Sequence, residues 1–142
     1  MNRGERFIAY GVAGWVFEVL LTGIKGPVRD GDWRFQSHTY LWMLPVYGSA
    51  VVLFEPAHCA VRSRPVWLRG AVYVAGIYAV EAASGTAIKA VTGEVPWDYA
   101  RPRSAGGRVG RHWKGLVRPA YAPVWFVAGL GLERLHDRLT RR

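Results

Sequence analysis

Long apolar runs separated by short polar stretches organise this chain of 142 residues. Four of them, residues 7–24, 39–60, 66–89 and 116–134, approach the roughly 20 residues that a helix needs to cross a hydrocarbon core. The first is broken by one charge, Glu18. The second holds Pro45 and Pro56, which a soluble helix interior resists and a membrane helix tolerates better. The third, "GAVYVAGIYAVEAASGTAI", is rich in small residues, which let neighbouring helices approach closely in lipid. The fourth contains Pro119 and Pro123 and has the shortest wholly apolar stretch. Between the runs lie a polar, turn-rich stretch at 25–38, a tight basic turn "VRSRP" at 61–65, and a long loop at 90–115. A loop of that length in a compact protein is usually functional or mobile. The pattern predicts an all-α, polytopic integral membrane protein: one domain over 1–142 with four transmembrane helices in an up-down bundle. The competing reading is a soluble bundle of unusually apolar helices. Arg3 and Arg6 ahead of the first run resemble the basic region of a signal peptide, but no small-x-small cleavage site follows. The run is therefore expected to be an uncleaved first span.

Composition changes this picture little, because 51% hydrophobic residues is close to the globular norm. Tryptophan stands out, with seven in a short chain. Trp33, Tyr40, Trp42, Trp67, Trp97 and Trp113 fall near span ends, as interfacial aromatic belts do. The formal charge of +9 suits either nucleic acid or anionic lipid headgroups. Distribution decides: the basic residues cluster between apolar runs and no nucleic-acid motif is present. Membrane lipid is thus the expected partner and nucleic acid is not. Arg3, Arg6, Arg62, Arg64, Arg69, Arg134, Arg138, Arg141 and Arg142 gather on the side of the termini and the tight turn. Their density near span ends places both termini in the cytoplasm of a multi-pass protein of the cell membrane. Cys59 is the single cysteine, so no internal disulfide is expected.

Glu18 has counterparts, for Glu55, Glu81 and Glu133 fall one in each remaining run. Each follows an aromatic residue by eight positions: Tyr10, Tyr47, Tyr73 and Trp125. Two runs share Tyr-Gly-x6-Glu in full, as Tyr10-Gly11…Glu18 and Tyr47-Gly48…Glu55. Seven residues are nearly two helical turns, so each glycine shares a face with its acid. In an up-down bundle, Glu18 and Glu81 lie toward the side of the first and long loops, and Glu55 and Glu133 toward the opposite side. An acid at the centre of a membrane helix costs about +2.5 to +3.5 kcal/mol on insertion scales, so such groups are normally buried, paired or protonated. The structural reading pairs Glu55 and Glu133 with Arg69, Arg134 or a protonated His58, and Glu18 or Glu81 with Arg118. The functional reading gathers Glu18, Glu81 and Asp98 of "PWDY" as candidate catalytic or binding carboxylates. Trp97 and Tyr99 flank them, and Arg101, Arg103 and Arg108 are placed to meet an anionic headgroup or phosphate. Trp15, Trp42, Tyr47 and Arg118 complete the candidate ligand-binding set. Two carboxylates held close in a poorly solvated place share a proton more readily than they ionise together, so one of them is a candidate general acid or proton carrier. His38, His58, His112 and His136 fall on different loops and ends without ligand spacing, so no metal site is expected. No cofactor is expected either. Ser49 and Ser84 lack a nucleophile-elbow setting, and "SAGGRVG" lacks the context and the lysine of a nucleotide loop.

Together "YGVAGWVFEVLLTGI", "SHTYLWMLPVYG", "YAVEAASG", "PWDY" and "GLVRPAYAPVWFVAGLGLE" resemble the transmembrane protein 229 family and the related bacterial CmpB-type ABC-transporter permeases. The resemblance spans nearly the whole chain, and "PWDY" with its flanking Glu-bearing helices is its most specific part. It implies a four-helix membrane protein and carries over Gly14, Glu18, Trp42, Tyr47, Gly48, Glu81 and Gly85. Pro96, Trp97, Asp98, Tyr99, Trp125, Phe126 and Glu133 belong to the later motifs. Ala100 stands where the family commonly has Ser, and the loop after it is longer and more basic. The expectation is a transport-related or lipid-handling component that works as a homo-oligomer or with a membrane-protein partner. The alternatives are a membrane-embedded acid/base enzyme acting on a lipid or isoprenoid, and a scaffold whose acids pair with arginines to order helices.

Overall fold

The computed structural model describes residues 1–31, 33–100 and 110–140. The first helix, α1 (Arg3–Asp30), opens on a reciprocal cap. Asn2 Oδ1 accepts from the Glu5 N–H and Glu5 Oε2 from the Asn2 N–H, both at 2.9 Å, which satisfies two otherwise orphan donors. The apolar pattern stops at Ile24, but the helix continues through Pro27. A proline removes one ladder hydrogen bond without ending a helix that is otherwise supported. Gly31, at φ 66°, terminates it in the left-handed conformation that glycine adopts without a Cβ penalty.

The second apolar run forms α2 (Met43–Gly48) and α3 (Ala50–Val61). The break is slight, since Ser49 keeps right-handed helical angles (φ −59°, ψ −11°) and its hydroxyl donates to the Val46 carbonyl at 2.6 Å. Gly48 and Glu55 therefore stand on separate helices, so the common face drawn from their spacing does not lie on one continuous helix, whereas Gly11 and Glu18 share α1. The glycines serve close approach instead. A Cβ at Gly11 would stand 2.9 Å from the Leu44 carbonyl oxygen, one at Gly48 would stand 2.8 Å from the Phe7 ring, and one at Gly14 would overlap the Tyr47 ring. These contacts pack α1 on α2.

The chain divides into two compact units, Met1–Leu53 and Phe54–Arg142. In the second, Pro65 caps α4 (Val66–Thr92), which ends at Gly93 with φ 79°. A 3-10 turn (Pro119–Tyr121) then leads into α5 (Ala122–Thr140). Tyr78 of α4 fixes that entry, its hydroxyl donating to the carbonyls of Arg118 and Pro119 at 3.2 and 3.1 Å. α5 packs on α4 through two glycines: a Cβ at Gly129 would meet the Tyr73 Cβ at 2.5 Å, and one at Gly70 would overlap the Phe126 ring. Among the described residues the secondary structure is helical, apart from an isolated antiparallel bridge between Trp113 and Val117.

Three stretches are long and apolar enough to cross a membrane: Arg3–Lys25, Met43–Val61 and Val66–Thr92. On α1 the apolar residues Ile8, Val12, Val16, Leu20 and Ile24 are all exposed, from 45% to 58%. Their spacing of four makes them one stripe along the helix, a surface suited to lipid rather than water. α5 differs from the fourth run in register. It starts at Ala122 instead of 116, because Pro119 and Pro123 set its first turn, and it extends through Arg134, Asp137 and Arg138. That shift brings charge into the helix and leaves it outside the set of apolar spans.

Candidate functional site

Glu81 lies about three turns from the end of α4, half-buried, beside the aromatic residues Tyr99, Tyr121 and Trp125. "PWDY" folds back onto α4 because Gly85 leaves room: the Trp97 ring and Leu116 occupy the space that a Cβ there would need. The Trp97 indole donates to the Leu116 carbonyl at 3.1 Å, and the Tyr99 N–H donates to the Gly115 carbonyl at 2.8 Å. Gly115 holds φ 74°, and a Cβ on it would stand 2.7 Å from Asp98 Oδ1. This clamp aims the Tyr99 hydroxyl at Glu81 Oε1, to which it donates at 3.2 Å. Tyr121 lies 5.6 Å from the Tyr99 ring and 5.9 Å from that of Trp125. The Trp125 indole faces the carboxyl as a second polar neighbour. Glu81 Oε2 is buried without a hydrogen-bonding partner of its own among the described residues. A carboxylate so placed forgoes hydration that one hydroxyl and one indole neighbour do not fully replace.

Asp98 has a different task. Its Oδ1 accepts from the Ala100 N–H at 2.8 Å, an Asx turn that shapes the loop carrying Tyr99. Arg118 makes no ion pair with Glu81 among the described residues. Its guanidinium lies 5.5 Å over the Tyr121 ring and fills the space beside Gly110. Arg101, Arg103 and Arg108 lie outside the described residues.

In the first unit Glu18 is held by hydroxyls. Its Oε2 accepts from Thr39 Oγ1 at 2.7 Å and from the Tyr47 hydroxyl at 3.4 Å. Trp15 ties the same segment down by donating its indole N–H to the Tyr40 carbonyl at 3.0 Å. Thr22 accepts from the His38 N–H at 3.4 Å. Trp42 sits at the N-cap of α2, largely exposed.

A second polar cluster occupies the other end of the second unit. Arg69 clasps Glu133 with a two-pronged fork, Nε to Oε2 at 3.0 Å and Nη2 to Oε1 at 2.9 Å. Buried Tyr73 adds a third donor to Oε2 at 2.7 Å. His58 is 5% exposed, with Nδ1 at 2.9 Å from the Tyr73 hydroxyl and Nε2 at 3.4 Å from Asp137 Oδ1. Glu55 Oε1 lies 3.6 Å from His136 Nδ1, and the two imidazoles meet edge to face at 5.1 Å. Chain order sets these residues on different elements, which hid the grouping. A signal was nonetheless available: Glu-x-x-His occurs on α3 as Glu55…His58 and on α5 as Glu133…His136, and a spacing of three puts both side chains on one face.

No solved structure matches this chain. A family model described as "Putative ABC-transporter type IV" matches residues 6–141. With that model covering almost the whole length and three apolar helices behind it, the chain belongs to this transport-related membrane family.

Proposed function

We propose that this protein is a membrane-embedded transport component in which Glu81 binds a proton or a cationic group. One observation carries the reading: a half-buried carboxylate on an apolar helix, with the Tyr99 hydroxyl and the Trp125 indole as its polar neighbours and one buried oxygen lacking a close hydrogen bond, beside the Tyr99–Tyr121–Trp125 ring group. Ionisable groups at membrane depth mark substrate or proton paths, and aromatic faces favour cations. Glu18 is the matching acid of the first unit. The basic loop around Arg101, Arg103 and Arg108 supplies attraction for an anionic headgroup.

The same reading extends to the architecture. α5 serves as the fourth span of an up-down bundle, and both termini face the cytoplasm. Kinship extends to the transmembrane protein 229 family. The 142 residues contain no nucleotide-binding loop, so ATP-driven work by a protein of this family would draw on an ATPase outside these residues, with further copies of this chain completing a path. Native mass spectrometry of protein extracted in mild detergent, beside Glu81→Gln and Glu18→Gln, tests the proposal. A bound lipid or amine kept by wild type and lost in Glu81→Gln supports it. The same bound species in all three preparations sinks it.

A further inference from the structure

The cluster around His58 has a donor–acceptor mismatch that a metal ion resolves. Tyr73 has one hydroxyl proton, and it goes to Glu133 Oε2. Its oxygen is then left to accept from His58, which fixes the His58 proton on Nδ1. Nε2 is thereby the bare nitrogen, and it faces a carboxylate oxygen, Asp137 Oδ1, at 3.4 Å. In the neutral imidazole two acceptors face one another there, so the gap takes either a second proton on His58 or a metal ion, and a metal ion fits its length. The distance agrees: a charge-assisted N–H···O bond is about 2.7–2.9 Å, whereas two ligands of a tetrahedral ion with bonds of about 2.0–2.1 Å stand about 3.3–3.4 Å apart.

His136 supplies the third ligand. One donor atom from each of His58, His136 and Asp137 falls within 4.8 Å of the others, a spacing that binding would draw in toward that of ligands sharing one ion. The surroundings match a metal's outer shell, in which a ligating histidine hands its other N–H to an oxygen. His58 hands Nδ1–H to Tyr73, itself backed by Glu133 and Arg69. His136 has Nδ1 beside Glu55. Asp137 keeps 46% of its side chain exposed, so an ion has a way in.

We propose that His58 Nε2, His136 and Asp137 bind one divalent first-row transition metal, with a fourth position open. Two imidazoles and one carboxylate are a donor set for Zn²⁺ or Fe²⁺ and not for Mg²⁺ or Ca²⁺. The site stands apart from Glu81 and does not depend on the transport reading. The test is a Co²⁺ titration of the full chain, carried on a tag without histidine, stripped with chelator in mild detergent and followed by visible d–d absorption with Zn²⁺ as competitor. Wild type is expected to take up one Co²⁺ per chain, displaced by Zn²⁺. Asp137→Asn, at the accessible edge, and His136→Gln are expected to bind at least ~10-fold more weakly, and Tyr73→Phe, which touches no ligand atom of the ion, about 10–100-fold more weakly. Glu94→Gln, on an exposed turn, is expected to bind as wild type does. Absence of a stoichiometric d–d band in helical, monodisperse wild type overturns the proposal and assigns the Nε2 position a proton. Equal Co²⁺ affinity in wild type, Asp137→Asn and His136→Gln overturns it as well.

Discussion

Replacing Arg69 by Met is the sharpest probe of how the second unit holds together. Glu133 is 13% exposed and Arg69 19% exposed, so neither charge can turn to water when its partner is lost. Wild-type Glu133 receives three hydrogen bonds, two of them from the guanidinium. In Arg69→Met, Tyr73 is the remaining donor of those three. Removing one partner of a buried pair costs about 3–5 kcal/mol, and the residual exposure of this pair brings the expectation to about 2–4 kcal/mol. The loss of the Arg69 Nη1 bond to the Arg64 carbonyl, 2.9 Å long, adds about 0.5–1.5 kcal/mol. Arg69→Met/Glu133→Leu should recover much of the first figure, because matched apolar replacement of a buried pair is often neutral. The assay is equilibrium unfolding in mixed micelles, with both single variants and the double variant forming a thermodynamic cycle. The expected coupling between the two sites is at least ~1.5 kcal/mol. A coupling below ~0.5 kcal/mol would refute the reasoning, because the fork would then contribute nothing that solvent or lipid headgroups do not supply.

Two further substitutions check the glycine contacts. Gly129→Ala drives a methyl into the Tyr73 Cβ and should destabilise the α4–α5 pair by about 1–3 kcal/mol. Gly76→Ala meets nothing within 4 Å and should be neutral or stabilising by up to ~1 kcal/mol. Thermal unfolding in detergent separates them, and equal midpoints would dismiss the close-approach account. Gly115→Ala combines a left-handed backbone with a clash against Asp98 Oδ1, at a cost of about 1–3 kcal/mol. It should release Trp97 and Tyr99 from α4, seen as faster amide exchange over 97–99 and easier quenching of tryptophan fluorescence. Unchanged exchange there would mean that the clamp does not depend on Gly115.

Helical spans are readable in sequence where apolar length decides, and less so where a turn does. Val66 comes immediately after Pro65, so the start of α4 is visible as a proline boundary. The end of α1 is not, because Pro27 and the charges after Ile24 look like a loop while Gly31 is the terminator. The late start of α5 depends on Pro119 shaping a 3-10 turn that Tyr78 then binds, a tertiary contact with no local signature. Glu81 and Tyr99 both stand out in the sequence as candidates, Glu81 because a charge inside an apolar run has few explanations. Their hydrogen bond does not, since it depends on a fold-back over Gly85. The His58–His136 grouping shows the opposite failure. Its local signal, Glu-x-x-His twice, sat in the sequence, but single histidines on separate elements carry no ligand spacing until α3 and α5 are placed.

The acids of the apolar runs are not equivalent, and on the proposed transport reading the difference selects the one suited to binding cargo. Glu133 already has a guanidinium and a phenol, so a passing cation would have to displace Arg69 and leave that charge unpaired in a half-buried place. Glu18 takes hydroxyl protons from Thr39 and Tyr47, which neutral ligands could match but which leave its charge formally uncompensated. Glu81 combines burial with the Tyr99 hydroxyl and the Trp125 indole as neighbours and one buried oxygen lacking a close hydrogen bond, so on the proposed reading a proton or ammonium arriving there gains the most and displaces the least. Transport needs a site that a cation enters with gain and leaves without a large barrier. A guanidinium clasp fails the first condition, and a fully hydrogen-bonded carboxylate gains little from it. On the proposed transport reading, the incomplete satisfaction of Glu81 is the feature a cation would use rather than a packing defect.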